Sequence, residues 1–222
     1  MTYIEYKHKI EFNEEQIKEL VSYSDRKNIK FFASVWDKDS VDVMAKYTNI
    51  AKIASASITD LELCKYTREK FDKLIISTGM STEEEIIECV NACNPDVIMH
   101  TNSTYPCPPE ILNMRYIEHL KTKYPNKEIG YSGHELNLST TFLTLGLGAT
   151  WIERHVTLDK TMWGSDQSAS IDPIEVSALI KGIRDCEKAI QYPPQPRLLF
   201  PEENKKKESL RRSDANASSV HK

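Results

Sequence analysis

Six short apolar runs recur along the chain with amphipathic stretches between them: KFFASVW at 30–36, NIAKIAS at 49–55, KLIISTG at 73–79, VIMHTNS at 97–103, EIGYSGH at 128–134 and TWIERHV at 150–156. Each is long enough for a strand and too short for a buried helix. Their spacing of roughly 20 to 30 residues predicts six β/α units in a parallel sheet or barrel, because parallel strands need a helical crossover. Capping signals support the helices. Thr59 with Glu62, and Ser81 with Glu84, have capping-box spacing, and Asp172 followed by Pro173 opens the last helix. In that helix Val176, Leu179, Ile180, Ile183 and Ile190 recur at helical spacing and predict one buried face.

From Pro193 the pattern changes to PPQPRLLFPEENKKKESLRRSDANASSVHK, rich in proline, charge and small polar residues. Such a segment buries little, so residues 1–192 are expected to form the domain and 193–222 a mobile tail or linker. Its lysine and arginine run is read as solvated, because the whole chain of 222 residues carries a net charge of −4. No global basic field favours nucleic acid or anionic lipid, and a small substrate fits better. No apolar run reaches the length of a membrane span, and MTYIEYKHKIEF lacks the apolar core of a secretory signal, so a cytoplasmic protein is expected. The five cysteines are scattered without a CxxC pair, which fits reduced thiols; Cys89 and Cys93, four apart on a predicted helix, are read as small buried hydrophobes with no assigned role.

Chemistry concentrates where the predicted strands end. In a parallel barrel the carboxyl ends of the strands carry the site, and here they bring Ser34, Ser55, Ser77, Ser103, Ser132, His134 and His155, with Lys52 inside its strand. Residues two apart share a face, so Ser132 goes with His134, Ser103 with Tyr105 and Glu153 with His155, whereas Arg154 faces out towards a helix. His134 and His155 are the candidate metal ligands, since two imidazoles leave coordination positions free for a substrate oxygen. Glu153 would stand near that metal or near a lysine, a catalytic carboxylate or equally a structural ion pair. Hydroxyls plus one lysine and a divalent cation suit a phosphorylated or carboxylated substrate, although serine is also common at strand ends for turn reasons. In the loop MWGSDQSAS at 162–170, Asp166 could accept hydrogen bonds from sugar hydroxyls or simply close a turn.

The strings AKIASAS, ISTGMSTEEEI, HTNSTYP, GYSGHE and ATWIERHVTLDKTMWGSDQSAS, in this order and spacing, resemble the sialic acid synthase family from residue 1 to about 192. The resemblance implies a (β/α)8 TIM-type barrel that condenses phosphoenolpyruvate with an N-acetylated hexose such as N-acetylmannosamine, giving a nine-carbon 2-keto acid sugar and phosphate. It implies a divalent metal, Mn2+ or Mg2+, on His134 and His155. Lys52, Ser55, Ser77 and Ser132 match phosphoenolpyruvate contacts, with Ser34 a weaker match, and Tyr105 and Asp166 match positions that hold the amino sugar. Ser57 and Ser103 depart from the family, standing where many members carry Glu and Asn. A homodimer is compatible with the family's pattern.

By the same resemblance, two further β/α units precede the point matched by the start of this chain, and MTYIEYKHKIEF resembles the loop after strand two. The chain is therefore expected to hold strands three to eight of the barrel, to lack the antifreeze-like domain found in many members, and to have weak or no synthase activity alone. Two other readings stay open. One is another phosphoenolpyruvate-condensing 3-deoxy-sugar-acid synthase, and the other is an inactive paralogue that binds sugar or a partner subunit.

Overall fold

The computed structural model describes Glu5 and residues 9–211. Helix α1 (Glu14–Arg26) precedes β1 (Ala33–Ser34), α2 (Lys38–Met44), β2 (Ile50–Ile53), α3 (Leu61–Lys70), β3 (Lys73–Ser77), α4 (Glu83–Cys93) and β4 (Val97–Thr101). Then come α5 (Tyr116–Lys123), β5 (Glu128–Gly133), α6 (Ser139–Gly146), β6 (Trp151–Arg154), α7 (Pro173–Ala189) and α8 (Pro201–Leu210). The strands form one parallel sheet in sequence order, β1 to β6, each joined to the next by a crossover. Among the described residues β1 and β6 have one neighbour each, so the sheet is open.

The sheet is also curled, as an arc of a (β/α) barrel. Lys52 on β2 and Glu153 on β6 lie four strands apart, about 19 Å across a flat sheet at ~4.8 Å per strand. Their side chains nevertheless meet at 2.7 Å, which only a curled sheet allows.

Alternation along each strand sorts the core into two layers. Ala51, Ile53, Leu74, Ile76, Ile98, Ile129 and Tyr131 point outward and are buried against the helices with Leu63, Ile86, Val90, Ile117 and Leu120. Ile50, Ile75, Val97 and Met99 point inward and pack with Phe32 and Trp151. Burying each large apolar side chain stabilises by about 1.5–3 kcal/mol, so these layers, rather than any hydrogen bond, hold the strand ends in place. The inner layer is tight at Gly130. A Cβ there would lie 2.2 Å from Met99 Sδ and 2.7 Å from Trp151 Cβ, and only the methionine can swing away. Gly130→Ala is expected to lower the unfolding free energy by about 1–3 kcal/mol in urea titrations.

Several helix ends differ from the sequence expectation. Asp60, not Thr59, caps α3, because its carboxylate accepts the Leu63 amide at 2.9 Å while Glu62 turns to Lys65. Thr82, not Ser81, caps α4, with Glu85 closing the box through the Thr82 amide at 2.7 Å. Asp172 opens α7 as expected, and Glu175 completes a reciprocal cap there that was not part of that expectation. The buried face of α7 is narrower than its apolar spacing implies: Leu179 is buried and Ile180 is exposed, and Ile190 lies beyond the end of the helix.

The chain divides into two units, Met1–Glu187 and Lys188–Lys222. The division falls five residues before the expected boundary at 192. Within the second unit, Tyr192 packs on Phe200, and α8 occupies 201–210, where composition predicted a mobile tail. Pro201 at its first position and Glu202 and Glu203 in its first turn favour that helix locally, although none of its residues is buried. No helix among the described residues is long and apolar enough to cross a membrane.

Candidate active site

The inward face of the sheet changes character along its length. Its first half is apolar, with Ile50, Ile75, Val97, Met99 and Trp151, and further along the same face come polar side chains, Lys52 on β2, Ser77 on β3, Thr101 on β4 and Glu153 on β6. Register aligns these polar positions: Ser34 pairs with Lys52, and Ser132 with both Thr101 and Glu153. Side chains with period two on curled parallel strands thus converge at the carboxyl end of the sheet.

All of the residues singled out from the sequence line one cleft of about 640 Å³ there: Ser34, Lys52, Ser55, Ser77, Ser103, Tyr105, Ser132, His134, Glu153, His155 and Asp166. One wall carries the lysine and hydroxyls. Glu153 Oε1 accepts from Lys52 Nζ at 2.7 Å and from Ser132 Oγ at 2.8 Å. Glu153 thus makes the lysine contact that its position on the strand suggested. Burial works against ionisation of Glu153, but the Lys52 charge and these hydrogen bonds more than offset it and hold the carboxyl below its usual range.

After β3 the chain passes Gly79, whose amide donates to Ser55 Oγ at 3.0 Å. A Cβ at Gly79 would lie 2.2 Å from Ser103 Oγ and 2.8 Å from Ser55 Oγ, so the absence of a side chain lets the two hydroxyls close on that turn. Ser77 Oγ is buried without a hydrogen-bond partner. A buried hydroxyl lacking a partner costs about 1–3 kcal/mol, a cost that a bound polar ligand can remove.

Two residues beyond Ser132 and Glu153, at the ends of β5 and β6, the lining is imidazole, joined by the Tyr105 phenol. The His134 and His155 ring centroids lie 5.1 Å apart, and Tyr105 packs on His134 at 4.0 Å and edge-on to His155 at 5.7 Å. His134 Nδ1 stands 2.6 Å from the Asn102 carbonyl oxygen. A carbonyl only accepts, so Nδ1 carries the proton and Nε2 keeps its lone pair, the tautomer a metal ligand needs. His155 Nδ1 lies 3.7 Å from Asp166 Oδ2, an electrostatic contact longer than a hydrogen bond. Asp166 Oδ1 accepts from the Ser165 hydroxyl at 2.7 Å. Burial lowers the pKa of both histidines and prevails over the Asn102 carbonyl at His134 and over Asp166 at His155. The same burial, with the Asp166 and Glu153 charges, raises the Tyr105 phenol.

Both imidazoles are therefore harder to protonate in the folded chain than in the unfolded one. Their contribution to stability is complete above their unfolded pKa near 6.5 and is lost as pH falls through it. Glu153 adds a second loss only below its ordinary value of 4.5. Urea midpoints measured from pH 8 down to 5 should begin to fall at about pH 6.5, and His134→Gln/His155→Gln should shrink that step, the remainder coming from His100, which burial also makes harder to protonate. A midpoint constant across this range would contradict the placement of the two rings.

Behind the histidines lies a feature that the sequence reading did not identify. Glu135 and Arg154, adjacent in sequence to His134 and His155, form a buried pair on the outer face of the sheet at 3.2 Å. Tyr131 and Thr141 donate to the Glu135 carboxylate at 2.8 Å and 2.6 Å. Arg154 was expected to face outward, and it does. Its partner was not foreseen, because GHE carries no pattern that singles out Glu135. Asn102, which orients His134 through its backbone, leaves no side-chain signal at all.

The NeuB family model matches residues 1–193. The chain is 36% identical over 197 residues to N-acetylneuraminate-9-phosphate synthase of Mus musculus, covering 86% of this chain and 55% of that one. It is 33% identical over 190 residues to N,N'-diacetyllegionaminic acid synthase of Campylobacter jejuni, covering 82% of this chain and 57% of the relative. Among solved structures, the N-acetylneuraminic acid synthetase of Leptospira borgpetersenii, in complex with citrate, superposes with a TM-score of 0.81 at 30% identity, covering 91% of this chain and 73% of that one. The chain spans a little over half the length of the two curated relatives.

Proposed function

Because the chain belongs to the NeuB family, and its sequence relatives are sialic and legionaminic acid synthases, we propose that its cleft binds phosphoenolpyruvate and an N-acetylated hexose for condensation to a nine-carbon 2-keto acid sugar. In that reaction carbon 3 of phosphoenolpyruvate bonds to the sugar aldehyde carbon. Water adds at carbon 2, and phosphate leaves with cleavage of its C–O bond.

The observation that carries the reading is the juxtaposition of two unlike walls in one cleft. Lys52, Ser55, Ser77 and Ser132 offer a cation and hydroxyl donors to an anion, and His134 and His155 line the same cleft. Lys52 Nζ gives a charge-assisted contact to carboxylate or phosphate oxygens, and the unpartnered Ser77 hydroxyl gives a neutral one. Glu153 holds Lys52 and Ser132 in the cleft and, being ionised, acts as an acceptor there. Asp166 steadies His155 and presents acceptor oxygens to sugar hydroxyls. Tyr105 covers the imidazole wall, and its raised pKa keeps it a hydrogen-bond donor.

The histidines fit a divalent metal such as Mn2+ or Mg2+. His134 has its Nδ1 committed to Asn102, its Nε2 available and His155 beside it. Such an ion, when bound, would act as a Lewis acid on the aldehyde oxygen.

Calorimetric titration of the full chain with phosphoenolpyruvate in the presence of Mn2+ tests the anion wall. One saturable site is expected, weakened at least ~10-fold by Lys52→Ala, as loss of a charge-assisted hydrogen bond implies. Absence of saturable binding, or a Lys52→Ala variant that binds as tightly as wild type, would overturn the proposal.

A further inference from the structure

Behind β3, in the helix layer away from the cleft, three thiols converge. Cys64 lies on α3, and Cys89 and Cys93 lie one turn apart on α4. Cys89 Sγ is 3.8 Å from both Cys64 Sγ and Cys93 Sγ, and all three sulfurs lie within 4.8 Å of one another. None is more than 1% exposed.

We propose that Cys64, Cys89 and Cys93 form a closed three-thiolate site for a soft d10 metal ion, separate from the histidine centre. Ligand type argues first. Three sulfurs with no imidazole or carboxylate among them select thiophilic ions over Mg2+ or Mn2+. Size argues second. The point equidistant from sulfurs at these separations lies about 2.1 to 2.5 Å from each, which brackets a metal–sulfur bond of ~2.3 Å. All three residues are also buried, which suits a closed site rather than a catalytic one with an open position.

Binding requires the thiols to release their protons to solvent as metal–sulfur bonds form, so affinity rises with pH. The trio is prepared for the first release: thiol hydrogen bonds from Cys89 and Cys93 lower the Cys64 pKa. The later releases are harder, because the Cys64 contact and burial hold the Cys89 and Cys93 thiols above their usual range, with Arg68 on α3 only a small opposing charge at Cys93. Binding should therefore depend steeply on pH. A bound ion would tie α3 to α4. Cys64 Sγ already lies 3.8 Å from the carbonyl oxygen of Ser57, at the end of the short helical turn that carries Ser55, so the clamp would reach the cleft rim.

Cd2+, a d10 ion whose thiolate complexes absorb in the ultraviolet by charge transfer, is the probe. Titration of the reduced full chain should give this absorption with an endpoint of one Cd2+ per chain and should raise Tm, since the ion binds the folded state. Cys89→Ala should weaken the binding at least tenfold. His134→Ala/His155→Ala and Cys107→Ala/Cys186→Ala should leave the absorption intact. The proposal fails if wild type gives neither the absorption nor the Tm rise, or if the absorption survives in Cys64→Ala/Cys89→Ala/Cys93→Ala.

Discussion

Arg154→Met is expected to lower the unfolding free energy by about 3–5 kcal/mol, the cost of leaving one partner of a buried ion pair alone. Arg154 and Glu135 have side chains only 2% and 1% exposed. Arg154 also donates to Thr141 Oγ1 at 2.8 Å and to the backbone carbonyl of Glu135. Removing it strands a carboxylate that burial cannot hydrate. The double variant Glu135→Leu/Arg154→Met should cost less than either single change, because neither charge remains. Urea unfolding of the four proteins closes the cycle. Single variants that each cost under about 1 kcal/mol, the range of exposed pairs, would show that the pair is solvated instead. The change should also weaken metal binding, because the pair fixes the backbone between the two histidines from the far side of the sheet.

His134→Ala should reduce Mn2+ affinity at least ~100-fold, since even changes to residues supporting a ligand cost 10–100-fold. The chain holds His134 by its backbone neighbour rather than by an ion. The Asn102 carbonyl fixes Nδ1–H, and Tyr105 covers the ring face. The ring is 3% exposed, so its loss leaves a cavity and some instability as well. His134→Gln separates the two effects by keeping volume and a polar end without the imidazole. Mn2+ binding followed by electron paramagnetic resonance should be lost in both variants, with the Gln variant nearer wild type in Tm. Retained Mn2+ affinity in the Gln variant would remove His134 from the metal centre.

What was legible from sequence was local. Period two along a strand assigns faces within a few residues, so Ser132 with His134 and Glu153 with His155 could be grouped before their neighbours were known. Which groups then meet depends on curvature. Lys52 and Glu153 are 101 positions apart and touch because the sheet curls, and no strand pattern records that. Cys64 joins Cys89 across 25 positions for a similar reason, the packing of α3 on α4.

Adjacent capping residues are a finer failure. Ser81 and Thr82 both qualify by type, and the extended backbone of Thr82, φ −76° and ψ 165°, decides between them. On α7 the spacing of apolar residues names a stripe but not the width that neighbours cover, hence exposed Ile180. In the segment after Pro193, composition predicted a mobile tail; Pro201, Glu202 and Glu203 supply the local start of α8 within it, and none of that helix is buried.

The central claim is that the lysine–serine residues and the histidine pair belong to one site, in which phosphoenolpyruvate binds close to the metal. Phosphorus-31 relaxation of phosphoenolpyruvate in the presence of the full chain and Mn2+ tests it most directly, because paramagnetic relaxation falls steeply with distance from the ion. Strong relaxation of the bound phosphorus is predicted, abolished by His134→Ala/His155→Ala while phosphoenolpyruvate still binds. Saturable phosphoenolpyruvate binding with relaxation no greater in wild type than in the double variant would place the anion and the metal in separate sites, contradicting the account.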